Sequence, residues 1–285
     1  MTAAAEATAP ACRWRSLQHA AAHCLALRDP GEKVATTRAA AAQFFSGGLP
    51  LADESNWPAI PDPAVVGRPD RPLLVPPRQL AARGLGSDEG RAAFLHAIAH
   101  IEFNAINLAW DAVLRFPGMP ADYYADWVSC ADDEARHHLM LVGRLADFGH
   151  AYGDFDAHDG LWEMARRTAH SCLERMALVP RVLEARGLDV TPAMIERLTA
   201  LGDAPTVAIL EVILREEVAH VAAGTRWFRH LCEREGREPR STFRDLLRQH
   251  GRGFIRGPFN LDARRAAGFD DEELAGLEAA VAAAR

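Results

Sequence analysis

Apolar residues recur at a helical period along most of the chain, and the period stops at glycine, proline and capping residues. The first run, Leu17, Ala20, Ala21, Cys24 and Leu27, predicts a helix over about 13–28, closed by Asp29-Pro30-Gly31. A second helix fits 31–45 and ends in Phe44-Phe45 before Gly47-Gly48. Four long helices are predicted next. The first runs from Ser87, a good N-cap, to Phe116 before Pro117-Gly118, and the second from Pro120 to Phe148, stopped by Gly149. The third runs from Asp159 to Arg186 with Gly187 as its stop and a kink at Pro180; the fourth runs from Asp203 to Glu235, stopped by Gly236. A short helix at 191–201 connects these two. The tail holds a helix at 241–250, an irregular stretch at 251–260 and a last helix from Asp270. No period-two pattern occurs, so the expected fold is all-α: a four-helix bundle at 87–236, preceded by N-terminal elements at 1–86 and followed by a helical tail at 237–285 packed on the bundle.

Residues 47–86 are of another kind. Prolines at 50, 58, 61, 63, 69, 72, 76 and 77 leave no room for a regular helix or a central strand. A free linker would lack the anchors Trp57, Ile60, Val65, Val66, Leu73, Leu74 and Val75, so the segment reads as an extended arm laid along the bundle.

Candidate chemistry lies inside the long helices. Asp132-Asp133-Glu134-Ala135-Arg136-His137-His138 is echoed by Glu216-Glu217-Val218-Ala219-His220, and each string holds a Glu and a His three residues apart. Residues i and i+3 share a helix face, so Glu134 with His137, and Glu217 with His220, can each reach one point. With a mid-helix Glu before each, Glu102 and Glu174, six ligands match the pattern that holds two metal ions inside a four-helix bundle. Glu134 with His138 and Glu216 with His220 form a rival set at i+4. His100 and Asn104 flank Glu102 and could support it.

Counting tests whether these residues meet. Glu102 lies about 14 residues before the end of its helix and Glu134 14 after Pro120, so at about 1.5 Å per residue they are level in an antiparallel hairpin. Glu174 and Glu217 are level by the same count, about 12 residues before and 14 after their connection. That count excludes Glu184, three residues from the expected stop, and Glu163, more than twenty away. Glu102 and Glu134 stand in apolar stripes, where a bare carboxylate is costly unless a cation receives it.

Composition narrows the class. The 285 residues are 49% hydrophobic and 25% charged, as in a globular protein with a sizeable core. Net charge is −7, which argues against a protein that coats nucleic acid. Lys33 is the single lysine among 32 basic residues. Five scattered cysteines, no signal-peptide pattern and no run of 18 apolar residues point to a cytoplasmic protein without membrane spans. From 226 to 256 nine arginines face four acidic residues, and Arg244, Arg248 and Arg252 recur every fourth position. That stripe suits an anionic substrate such as RNA; a solvated helix face in an arginine-biased chain is the plainer account.

These strings resemble the ferritin-like di-iron carboxylate superfamily. The closer resemblance is to a bacterial ferritin-like family of unassigned function, through residues 100–109, 133–138, 216–220 and 257–269. Glu134-Ala135-Arg136-His137 and Ser171-Cys172-Leu173-Glu174-Arg175 are also distantly similar to the di-iron hydroxylase that modifies a tRNA adenosine. The resemblance implies a ferritin-like bundle with two Fe ions, two Mn ions or a mixed pair. Glu102 and Glu174 would be terminal ligands, Glu134 and Glu217 bridges, and His137 and His220 nitrogen donors. Dioxygen and an organic substrate would be the partners, with an external electron donor, in a hydroxylase or oxidase. A ferroxidase or metal-handling protein, and a non-enzymatic helical binding protein with structural ion pairs, are the alternatives. A tyrosyl radical at Tyr123 or Tyr124 is not expected.

Overall fold

The computed structural model describes residues 14–81, 84–250 and 255–282; the expectations for 1–12, for Arg252 and for 251–254 lie outside them. Helices α1 (Leu17–Ala26) and α2 (Pro30–Phe45) open the chain. Each begins at a side-chain cap, Ser16 accepting from the His19 N–H and Asp29 from the Glu32 N–H. The single lysine, Lys33, is buried between them and helix α3 (Asp88–Arg115). Its Nζ donates to the terminal α1 carbonyls of Cys24 (2.8 Å) and Leu25 (3.4 Å) and to Asn107 Oδ1 (2.6 Å). Burial without a carboxylate partner brings its pKa down to about 7.

The proline-rich arm is extended and tied to the helices by single hydrogen bonds. Trp57 Nε1 donates to Leu114 O (2.8 Å), Arg115 Nη2 to Pro61 O (3.2 Å) and Trp162 Nε1 to Pro63 O (3.0 Å). Leu74 forms an isolated parallel bridge with Ala157, and among the described residues no β-strand forms. No helix among them is long and apolar enough to cross a membrane.

Helix α3 starts where Ser87 accepts the Gly90 N–H, and it pairs along its length with α4 (Ala121–Asp147). The main departure from the expected boundaries follows. Helix α5 (Gly160–Arg167) stops after two turns, where the Thr168 hydroxyl donates back to Met164 O (2.8 Å). Ser171 then caps a new helix by accepting the Glu174 N–H (3.2 Å), and the chain stays helical to Ala200 through α6 (Cys172–Leu178), a π-helical segment (Val179–Glu184) and α7 (Ala185–Ala200). Pro180 has no N–H to give, and the widened π turn absorbs the loss. Gly187 and Thr191, expected as a stop and a start, both lie inside this helix. The stop is Gly202, at φ 73°, before α8 (Ala204–Arg234).

Helix α8 packs along α6, the π segment and α7, and also against α4. The tail comprises α9 (Pro239–His250), α10 (Leu261–Ala266) and α11 (Asp271–Ala282). Two buried arginines fasten it. Arg264 grips Asp189 on α7 with two hydrogen bonds (2.9 and 2.7 Å), and Arg181 of the π segment pairs with Glu273. The Arg181 guanidinium sits 4.0–4.7 Å from the ring centres of Phe228, Phe243 and Phe269.

The apolar interior is divided. One core holds Leu95 and Ala99 of α3, Leu141 and Leu145 of α4, and Leu210 and Ile213 of α8. The other begins at Ile106 of α3, Ala135 of α4 and Val221 of α8. Between them, at one level of all three helices, stand Glu102, Glu134, His137, Glu217 and His220.

Candidate metal centre

The three uninterrupted helices fix these side chains at one height in the dry middle of the bundle. Glu102, Glu134, His137 and His220 are each at most 3% exposed, and Glu217 is 9% exposed. Glu102, Glu134, His137 and Glu217 each offer a ligand atom within 4.8 Å of the others. His137 Nδ1 lies 3.3 Å from Glu102 Oε2 and 3.5 Å from Glu134 Oε2. His220 Nδ1 lies 3.1 Å from Glu134 Oε1 and 3.6 Å from Glu217 Oε1.

The far nitrogens show why the two strings repeat. His137 Nε2 donates to Glu216 Oε2 at 2.7 Å, and His220 Nε2 donates to Asp133 Oδ2 at 3.3 Å. Each imidazole is thus oriented by the acidic residue that precedes the other string's Glu, a crossed arrangement. Arg136 closes it, donating to both Asp133 (2.6 Å) and Glu216 (2.7 Å). A carboxylate on the distal nitrogen of a histidine fixes the ring and makes the inward nitrogen a better donor to a metal.

Sequence reasoning placed Glu174 in the cluster, and the structure does not. Glu174 sits one turn into α6, with His170 Nε2 3.3 Å from its carboxylate and His250 3.9 Å away. Glu184 is the acid that faces the cluster, lining one cavity with Glu102, Glu134 and Glu217. The error came from the turn and not from the counting. With the connection at 201–203 instead of 187, Glu184 lies 17 residues before Leu201 and Glu217 14 after Asp203, level to within a turn. Glu174 is ten residues, about 15 Å, further back along the same helix. His138, the rival at i+4, turns away, its Nδ1 2.8 Å from Ala99 O. Asn104 Nδ2 donates to His100 O (2.8 Å), and His100 Nδ1 meets the Tyr152 hydroxyl at 2.8 Å; both residues line a second cavity, about 350 Å³, rather than the carboxylate cluster.

The electrostatics are those of a site built around positive charge. Burial, with the charge of Glu134 beside it, pushes the Glu102 carboxyl up to about 8. Burial and the charges of Glu217 and Glu134 push Glu184 well above the usual range. Burial and the charge of Glu217 act against Glu134, but its neighbours Glu102, His137 and His220 hold its carboxyl below the usual value. Against burial, Glu102 and Glu134 raise His137 to about 11. His220 is likewise well above the usual imidazole range, held against burial by Cys130, Asp133, Glu134 and Glu217. Glu134 Oε2, Glu184 Oε2, Glu217 Oε2 and His220 Nδ1 are buried and make no hydrogen bond. Buried polar atoms without partners are costly, and a cation among them would satisfy all four. The residues fit a metal site.

The other sequence features lie elsewhere. Tyr123 and Tyr124 are buried, with hydroxyls donating to Ala112 O (3.3 Å) and Phe116 O (3.0 Å). Arg240 is paired with Asp270 and Glu272, and Arg248 with Asp245, so the arginine row on α9 is partly neutralised.

Comparison with known proteins gives the lineage and no activity. A relative from Haemophilus influenzae, described as "Uncharacterized protein", is 45% identical over 222 residues, covering 75% of this chain and 77% of that one. No solved structure matches the chain. The family described as "Protein of unknown function (DUF455)" matches residues 26–275, and the chain belongs to that family.

Proposed function

We propose that the cluster holds two divalent iron or manganese ions in a ferritin-like bundle and uses dioxygen to oxidise a small organic molecule. The ligands would be Glu102, Glu134, Glu184 and Glu217 with His137 and His220. The observation that carries this reading is the convergence of buried carboxylate oxygens that accept no hydrogen bond, Glu134 Oε2, Glu184 Oε2 and Glu217 Oε2, on one volume. Carboxylates held for structural ion pairs would face arginines. Among the described residues no arginine or lysine pairs with these four, and Arg136 goes instead to Asp133 and Glu216.

Four carboxylates balance the charge of two divalent ions, and with the two imidazoles they leave positions for dioxygen, which such a pair activates when bound. The chain's own contribution is placement and dryness. The paired acids Asp133 and Glu216 set the imidazoles, and the apolar cores on either side keep bulk water out. An oxidase is favoured over iron storage because a cavity of about 180 Å³ opens onto the carboxylates, with room for an organic substrate.

Metal analysis of protein produced with iron and manganese tests the reading. The wild type is expected to carry about two ions per chain. Glu184→Ala and a Glu134→Ala/Glu217→Ala double variant should lose at least one and both, respectively, while Glu174→Ala keeps the wild-type content. A wild type without bound metal overturns the reading and leaves a helical binding protein.

A further inference from the structure

Gly187 stands inside a continuous helix, where glycine is less favourable than alanine because its backbone loses more freedom. None of the usual reasons for a glycine applies. It has no positive φ, it ends no helix, and no backbone or side chain approaches it, since a Cβ added there would meet nothing within 4 Å. Gly187 lines the cavity that reaches the carboxylates. A larger residue at 187 would fit the fold and fill that cavity.

The cavity walls state what it takes. Ile98, Ile101, Leu183, Met194, Leu210 and Ile213 supply aliphatic surface, and no aromatic ring among the described residues lines it. The lining follows α3 from Ile98 to Ala105, about 10 Å, and the π segment and α7 from Leu183 to Met194, with Leu210, Ile213 and Glu217 of α8 on the other side. At about 180 Å³ it is slightly larger than an apolar cavity of about 150 Å³ that holds one benzene, a size for six to eight carbon atoms. Polar groups are confined to one end, where Glu102, Glu134, Glu184 and Glu217 stand, and to Arg186 and Thr191.

We infer that this cavity is the seat of an unbranched alkyl group of about six to eight carbons, and that Gly187 sets the length of chain it admits. As a substrate site the inference rests on the dinuclear reading above; as a binding site it stands on the cavity alone.

A chain-length series tests it. Binding of the n-alkanols from butanol to decanol to the full-length, metal-free protein is measured by calorimetry. Affinity should rise about fourfold per methylene and stop rising at roughly six to eight carbons, where the space is filled. Benzyl alcohol should bind at least fivefold more weakly than 1-heptanol. Gly187→Ala should bring the plateau in by about one carbon, and Gly187→Leu should weaken 1-heptanol at least tenfold. Both changes favour the helix, so folding is preserved. A series with no plateau, or a plateau unmoved in both variants, overturns the proposal. Metal content is read on parallel metal-loaded samples of each variant. Alkanol binding in a protein that takes up no metal keeps the cavity and removes the dinuclear reading. Two ions with no chain-length plateau do the reverse.

Discussion

Gly224 of α8 lies so close to the π segment that a Cβ added to it would overlap the ring carbons of Pro180. A proline ring cannot swing away, so the contact fixes the distance between α8 and the turn that carries Glu184. Gly224→Ala is expected to lower unfolding free energy by about 1–3 kcal/mol, read from urea titration, and to reduce metal content as Glu184 is displaced. His96 is a second single-residue constraint. It is fully buried, its Nε2 accepts the Gly153 N–H at 2.9 Å, and its ring stacks on Tyr152. Burial lowers its pKa from 6.5 to about 4. Between those values the unfolded chain binds the proton and the folded one does not. Stability is therefore intact above pH 6.5 and falls as pH drops towards 4, by about 2–3 kcal/mol from this residue. His96→Phe keeps a ring beside Tyr152 but cannot protonate. It should be less stable at pH 7, because the Gly153 N–H loses its acceptor, and should show a flatter stability profile from pH 6.5 to 4. An unchanged acid limb would remove His96 from the account.

At the scale of elements, the α3/α4 hairpin was legible because its caps are unambiguous, and the two Glu-x-x-His strings are local, so their geometry follows once each helix exists. The partner of Glu217 was not legible. Gly187 carries the mark of a helix end, and the structure keeps it, with the kink at Pro180, inside one helical run because of contacts distant in sequence: Gly224 receives Pro180, and the tail clamps Arg181 and Asp189. The crossed pairing of Asp133 and Glu216 was hidden in the same way, although the acid before each Glu was its visible trace. The tail is thus part of what shapes the π segment. Arg181→Met fills a similar volume among Phe228, Phe243 and Phe269 but leaves Arg229, 3.2 Å away, as the charged partner of Glu273. The expected cost is about 2–4 kcal/mol, seen first as faster proteolysis within 255–282. If cleavage there is no faster than in wild type, the clamp is not what holds the tail.

Across the whole molecule, the candidate ligands come from α3, α4, the π segment and α8, and they lie at the level where two apolar cores meet. Neither core crosses that plane with apolar contacts alone, so the metal-free protein is held there by polar contacts among buried acids and imidazoles. Such a layer is the weakest plane of the bundle without cations and a strong one with them. Ions that bind only the folded chain add stability by mass action. At free metal about a hundredfold above Kd this is about 2.7 kcal/mol per ion and about 5 kcal/mol for two, which for a chain of this size raises Tm by roughly 10–20 °C. Calorimetric melting of metal-loaded protein, then of the same sample after chelation, should show a fall of that size, restored when Fe(II) or Mn(II) is returned. Glu184→Ala should lose most of the shift. Glu174→Ala, fifteen or so ångströms away along the same helix, should keep it. A Tm that chelation leaves unchanged would mean that protons, and not metal ions, are the native occupants of the plane between the cores.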